Sequence, residues 1–332
     1  MKFVKRSTSL LAMVGAVAGL ALACAGCGGG GDPKIALLLP GNQATEYEAA
    51  DRRAFEQSVE EACGGCEVLY SNAAVDLEKQ ARQAKAALSQ GAEVLVLDPV
   101  DGQFADKVVE EAEAEGVPVV DYVERIPNSR PSAFVGFDFT KTGELQAETL
   151  ARGLREMGHP KGPIVMVKGE PGNPDQHFFE EGAHSTLRAS GIEIAREYYT
   201  PFWYERYAKH DVQHALQLLG KHGFAGVYAE TDSLAGGAIA ALRSAGIDPA
   251  QVPTTGRNAS PTALRRIEAG QQYMTVEEPV QRQAAAAAEV ALALARGDTP
   301  PTQTTVAFKG GAVEVPALLV VGLPITKGSL RS

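Results

Sequence analysis

The 332-residue sequence is short of the side chains on which most catalysis and nucleic-acid binding depend: it has one tryptophan, four cysteines and six histidines, and 31 basic residues face 41 acidic ones. A chain this acidic has no electrostatic footprint for a phosphate backbone, so nucleic acid is not an expected partner. Past the first 27 residues no run is long and apolar enough to span a bilayer. The glycine-rich stretches GGGG (28–31) and GGAVEV (310–315) lack the lysine and Ser/Thr of a phosphate loop, and DSLAGGAIAAL (232–242) lacks a strand-linked dinucleotide fingerprint. His210 and His214 lie four apart on an expected helix, but no third ligand accompanies them. They read as an exposed helix face, and neither metal nor cofactor is expected.

What is present begins with a targeting segment. Residues 1–26 place Lys2, Lys5 and Arg6 ahead of an apolar run rich in Ala and Gly, the pattern of a secretory signal. The small residues Ala25 and Gly26 before Cys27 resemble the end of a bacterial lipoprotein signal; Cys27 is the expected lipidation site and Cys24 the alternative. Residues 27–33 read as a flexible tether. Removing residues 1–26 takes away three basic residues and no acidic ones, so the mature chain is more acidic still. Outside the cytoplasm, with no other cysteine left to complete a metal tetrad, Cys63 and Cys66 in EEACGGCEVLY are expected as a local disulfide at a helix-to-strand turn. A redox motif is the alternative reading.

From Lys34 onward, short Val-, Leu- and Ile-rich runs alternate with amphipathic segments of helical length. Strands are expected at 34–40, 66–72, 92–99 and 117–122, with helices at 45–62, 75–90 and 101–115 between them. The strands lack period-two polarity, which argues for a parallel sheet covered on both faces by helices. After FVGFDFTKTG (134–143) the alternation restarts, with helices at 141–157, 176–190 and 205–221 and strands at 163–169, 192–199 and 224–230. The expected fold is α/β, two doubly wound parallel-sheet lobes. The first lobe is assigned 34–138 plus 277–305, the second 139–276 plus 306–332.

Ligands of such sheets bind beyond the carboxyl ends of the strands. Those ends carry PGNQATEYE (40–48), DPVDG (98–102), DYVER (121–125), GFDF (136–139), GEPGNPDQ (169–176), TPFWYER (200–206), AETD (229–232), GRNA (256–259) and TVEEP (275–279). Trp203 stands in a loop, where a flat ring can stack on the C–H face of a sugar or fill a gap in the core. Asp232 begins a helix and can serve as its cap or as a ligand contact.

With YEAADRRAFE, CEVLYSNA, EVLVLDPVDG, VGFDFTKTGELQAE, EYYTPFW, GVYAETDSLAGGAIAAL, RRIEAGQQYMTV and VPALLVV together, the chain resembles the periplasmic-type sugar-binding proteins of ABC importers, in their xylose-binding, ribose-binding-like branch. The resemblance implies a type I periplasmic binding fold with three hinge strands, a sugar ligand, a membrane permease as partner, no catalysis and a monomer tethered outside the cytoplasm. It implies that Tyr47, Asp138, Trp203 and Asp232 contact ligand. The chain departs from the family at Glu46, where Arg precedes the Tyr, and at Glu124 and Arg125, where an Asp-Arg pair follows the fourth strand. It departs again at Phe139 in place of an amide, at Thr231 after Glu230, at Arg257 and Asn258 where Gln and Asp stand, and at Glu278 in place of Lys. Asn173 completes the candidate set. These changes point away from xylose toward another sugar, polyol or amino-substituted sugar, with Glu46 and Glu278 motivating the amine. A sensory lipoprotein and a glycoside-active enzyme are the rival readings; a regulator of the same architecture would need a DNA-binding segment where the signal stands.

Overall fold

The computed structural model of the protein describes residues 32–41, 45–171, 173 and 175–331. The run KIALLL at Lys34–Leu39 (β1) shows how the sequence builds its sheet. Ile35, Leu37 and Leu39 enter one apolar cluster while Ala36 and Leu38 enter another, so alternate side chains are buried on opposite faces. A strand with no polar face needs helices on both sides. Those come from α1 (Thr45–Ala62), α2 (Leu77–Ser89) and α3 (Asp106–Ala114), each following or preceding one of β2 (Glu67–Asn72), β3 (Val94–Leu97), β4 (Val119–Tyr122) and β5 (Ala133–Phe137). The chain then crosses into α4 (Phe139–Glu156), β6 (Ile164–Lys168), α5 (Gln176–Ala189), β7 (Ile194–Tyr199), α6 (Glu205–Leu219), β8 (Gly226–Ala229), α7 (Asp232–Ser244), α8 (Pro261–Glu268) and β9 (Met274–Glu277). It returns through α9 (Val280–Ala295), β10 (Thr304–Phe308) and β11 (Val313–Val320), and ends with β12 (Leu323–Thr326).

The first lobe's sheet has the order β10-β11-β5-β4-β3-β1-β2, parallel except where β10 pairs antiparallel with β11. The second lobe centres on the parallel sheet β7-β6-β8, whose two faces divide in the same way. Val165, Val167, Val227 and Ala229 pack beneath α6 and α7, whereas Ile164, Met166 and Tyr228 pack beneath α4 and α5. Single parallel bridges, Val227 to Thr254 and Arg257 to Val276, extend this layer to the antiparallel pair β9-β12.

The chain changes lobe between Phe137 and Phe139, between Glu277 and Val280, and between Val320 and Leu323. The third position corrects the expected boundary: residues 306–320 belong to the first sheet. An antiparallel β10-β11 hairpin leaves no helical segment between its strands, so the alternation used to divide the lobes carries no signal there. A second difference is the start of α3. Asp101 accepts the Gln103 N–H at 2.8 Å in a tight turn, and the helix begins only at Asp106. Cys63 and Cys66, at the turn from α1 into β2, form a disulfide. Among the described residues no helix is long and apolar enough to cross a membrane.

Candidate ligand-binding cleft

The carboxyl ends of both sheets open onto one cavity of about 400 Å³. A second chamber of about 340 Å³ adjoins it through Glu124, Asn173 and Asp175, which line both. Two hollows of similar size, about 420 and 490 Å³, are lined wholly by second-lobe residues. Volume therefore does not single out the cleft; convergence of strand ends and lobe crossings does.

Local backbone re-aims several side chains into this space. Val123 follows β4 with φ 64°, Trp203 has φ 50° and Asn258 has φ 94°, all left-handed conformations that cost non-glycine residues about 1–3 kcal/mol each. Val123 is also the extra residue that separates Glu124 and Arg125 from the end of the strand. Its turn places Glu124 in the cavity wall and sends Arg125 toward the other lobe.

Arg125 of the first lobe pairs with Asp175 of the second at 3.2 Å, and its guanidinium lies over the Phe178 ring at 4.3 Å. Burial and the neighbouring carboxylates act in opposite senses on this group. Desolvation lowers the Arg125 pKa, with Asp175 and Asp121 opposing. Arg257 pairs with Glu278 at 2.6 Å and lies over Phe179 at 4.5 Å, while Asn258 Nδ2 donates to the other Glu278 oxygen at 3.2 Å. Burial works against the Arg257 charge, but Glu278 and Glu230 outweigh it and leave the pKa raised. Both guanidinium Nε groups are buried and unpartnered, so each arginine keeps a donor in reserve.

Trp203 lines the cavity and also packs on the second-lobe core. Its indole lies against Gly169, where any side chain would overlap the ring. Beneath it, Glu230 is 1% exposed and accepts from the Gly169 N–H at 2.9 Å, Gln176 Nε2 at 2.7 Å and Trp203 Nε1 at 3.3 Å. The acidic residue that follows β8 thus fixes the aromatic wall from behind. Thr231 caps α7 and Ser233 follows it, both at the cavity surface.

The sequence candidates divide accordingly. Glu124, Asn173, Trp203, Arg257, Asn258 and Glu278 come together at the main cavity, and Arg125 joins them at the adjoining chamber. Asp232 does not. Its side chain is 3% exposed, with one oxygen accepting from the Ser260 N–H at 2.8 Å and the other from Gln272 Nε2 at 2.9 Å. Burial raises its pKa against those hydrogen bonds. Gly256 leaves room for this carboxylate, which ties α7 to the segments after it. Asp138 is likewise a cap: its carboxylate accepts the Lys141 N–H at 2.8 Å at the start of α4, and Phe137 and Phe139 line the cavity on either side of it. Glu278, added in place of a lysine, is engaged by Arg257 and Asn258 rather than left for an amine. Glu46 and Tyr47 fall in the first turn of α1 with side chains outside the described residues, as is Cys27. His214 Nδ1 lies 3.2 Å from the Tyr198 hydroxyl and His210 is exposed, so neither is part of the cleft.

Sequence reasoning missed Asp175, Phe137, Phe179 and Ser233 as lining groups, and named Thr231 only as a departure from the family pattern. Asp175 stood within the quoted strand-end stretch GEPGNPDQ, but nothing in its spacing announced a partner on the other lobe. Behind the first-lobe wall lie further acids. Burial, then Glu124, Asp51 and Asp121, push the Asp98 carboxyl well above the usual range, and burial does the same to Asp121.

A family model described as a periplasmic binding protein domain matches residues 35–299. The D-xylose-binding periplasmic protein of Escherichia coli is 30% identical over 271 residues, covering 80% of this chain and 79% of that protein. The D-xylose-binding periplasmic protein of Haemophilus influenzae is 29% identical over 304 residues, covering 90% of this chain and 88% of that one. Among solved structures, a periplasmic ribose ABC transporter protein from Conexibacter woesei superposes with a TM-score of 0.76 at 21% identity, covering 91% of this chain and 94% of that one.

Proposed function

The chain belongs to the periplasmic binding protein domain family, and from that membership we propose that it is the extracytoplasmic solute-binding component of an ABC importer. It captures a monosaccharide, or a related polyol or sugar derivative, between its lobes and delivers it to a membrane permease. The carrying observation is the cleft itself, where aromatic faces and two guanidinium groups with unused donors meet at the crossings between lobes. Rings of fixed geometry suit the C–H faces of a sugar, and buried donors suit its hydroxyls. A ligand touching both lobes shifts the molecule toward closure, because it binds the closed arrangement better than the open one.

The relatives are binding proteins by name, and three of the carboxylates considered for glycoside chemistry are engaged structurally. Glu230 braces Trp203, Asp232 ties loops, and Asp138 caps a helix. Cys27 is the proposed lipid attachment, holding a monomeric receptor at the outer face of the cell membrane.

A thermal-shift screen of residues 32–332, which form one compact unit, against pentoses, hexoses, amino sugars and polyols tests the reading. The expected result is a rise in melting temperature with one ligand class, lost in Arg257→Ala. Full stabilisation of that variant by the same ligand would remove the cleft from the account.

A further inference from the structure

Among the described residues lining the two joined chambers, the charged side chains are Asp101, Glu124, Asp175 and Glu278 against Arg125 and Arg257. Each guanidinium already has its own carboxylate: Arg125 has Asp175 at 3.2 Å and Arg257 has Glu278 at 2.6 Å. Asp101 receives the Gln103 N–H at 2.8 Å. The Glu124 carboxylate meets neither a cation nor a hydrogen-bond donor among the described residues, yet it stands where the two chambers meet. Resting on the reading that the cleft is the ligand site, we propose that the ligand carries a protonated amine on a hydroxylated ring and that Glu124 receives it.

A neutral sugar leaves the acidic excess of the chambers uncompensated. An ammonium group cancels part of it and makes a charge-assisted hydrogen bond, about twice as strong as a neutral one. The surroundings of Glu124 favour this. Glu124 is an exposed residue at the chamber surface; loss of hydration to the surrounding walls, then the Asp175 and Asp101 charges, hold its carboxyl above the ordinary range, so an arriving cation relieves repulsion as well as making a bond. Trp203, Phe137 and Phe139 line the same chamber and present aromatic surface, to which a cation is also attracted. The amine that Glu46 and Glu278 suggested in the sequence is thus kept, but Glu278 is engaged by Arg257 and the receptor proposed is Glu124.

The test is calorimetric titration of residues 32–332 near neutral pH with matched pairs, D-glucosamine against D-glucose and D-galactosamine against D-galactose, for the natural chain and Glu124→Gln. At least one amine is expected to bind about tenfold or more tighter than its neutral counterpart. In Glu124→Gln that ratio is expected to fall about tenfold, while the ligand-free melting temperature holds or rises, because the exposed carboxylate has no partner to lose. A fall in the ligand-free melting temperature would instead mark Glu124 as a structural group. Equal or tighter binding of the neutral member would overturn the amine and leave the cleft reading standing. A preference that survives Glu124→Gln would overturn the assignment to this residue. No binding by any of the four sugars, where another sugar or polyol raises the melting temperature in the thermal-shift screen, would overturn the amine and leave the cleft reading standing; no response to any ligand of that screen would overturn both.

Discussion

At the scale of single residues, carboxylates two positions apart have different tasks. Glu230 and Asp232 flank Thr231 at the end of β8; the first braces the cavity wall and the second holds α7 to the loops beyond it. Glu230→Ala strands the buried Gly169 N–H, Gln176 amide and Trp203 indole N–H without an acceptor. The expected cost is about 2–4 kcal/mol of stability together with loss of ligand affinity, measured by denaturant unfolding and calorimetry. Asp232→Ala is expected to cost about 2–3 kcal/mol in unfolding, while the protein that remains folded still binds. Abolished binding at unchanged stability would return Asp232 to the ligand. Trp203→Ala removes both a cavity wall and part of a core, so binding and about 2 kcal/mol of stability should fall together.

At the scale of elements, the central strands were legible because both faces of each are apolar, as the alternate burial of Ile35, Ala36, Leu37 and Leu38 makes plain. The third crossing was not legible, because β10 and β11 form a hairpin within a pattern that otherwise alternates strand and helix. The cleft was half legible for a related reason. Strand ends identified Glu124, Trp203, Arg257 and Asn258, but an acidic residue at a helix start looks the same in sequence whether it caps, as Asp138 does, or faces a ligand. Pairing across lobes, as between Arg125 and Asp175, depends on how the two layers meet and leaves no local trace. Leu37, central in β1 and 1% exposed, provides an element-level test: Leu37→Ala is expected to cost about 2–5 kcal/mol by denaturant unfolding. The Cys63–Cys66 disulfide closes a very short loop, so Cys63→Ser should cost about 1–2 kcal/mol or less in the same measurement.

At the scale of the whole molecule, the buried acids set a dependence on pH. Burial holds Asp98 and Asp121 well above the usual carboxylate range and raises Asp175, Asp211 and Asp232 as well. A raised carboxyl binds protons in the folded state that the unfolded chain has released. Its stabilisation is complete below the ordinary carboxylate pKa of about 4 and is lost as pH rises through the folded value. Glu197 runs the other way: despite burial, Lys168 and His184 lower its pKa, and its contribution disappears as pH falls through that lowered value. The raised groups outnumber it, so the ligand-free melting temperature is expected to climb as pH is lowered from about 8 toward about 5; a steady fall across that window would contradict the burial of these acids. The central claim, capture of a sugar-class ligand between the lobes, has a built-in reporter, because Trp203 is the sole tryptophan of the chain and lines the cleft. Titrating tryptophan fluorescence with the ligand that gives the largest thermal shift should show a saturable change, lost in Arg257→Ala. A ligand that stabilises the protein while leaving Trp203 emission unaltered would place binding somewhere other than the cleft.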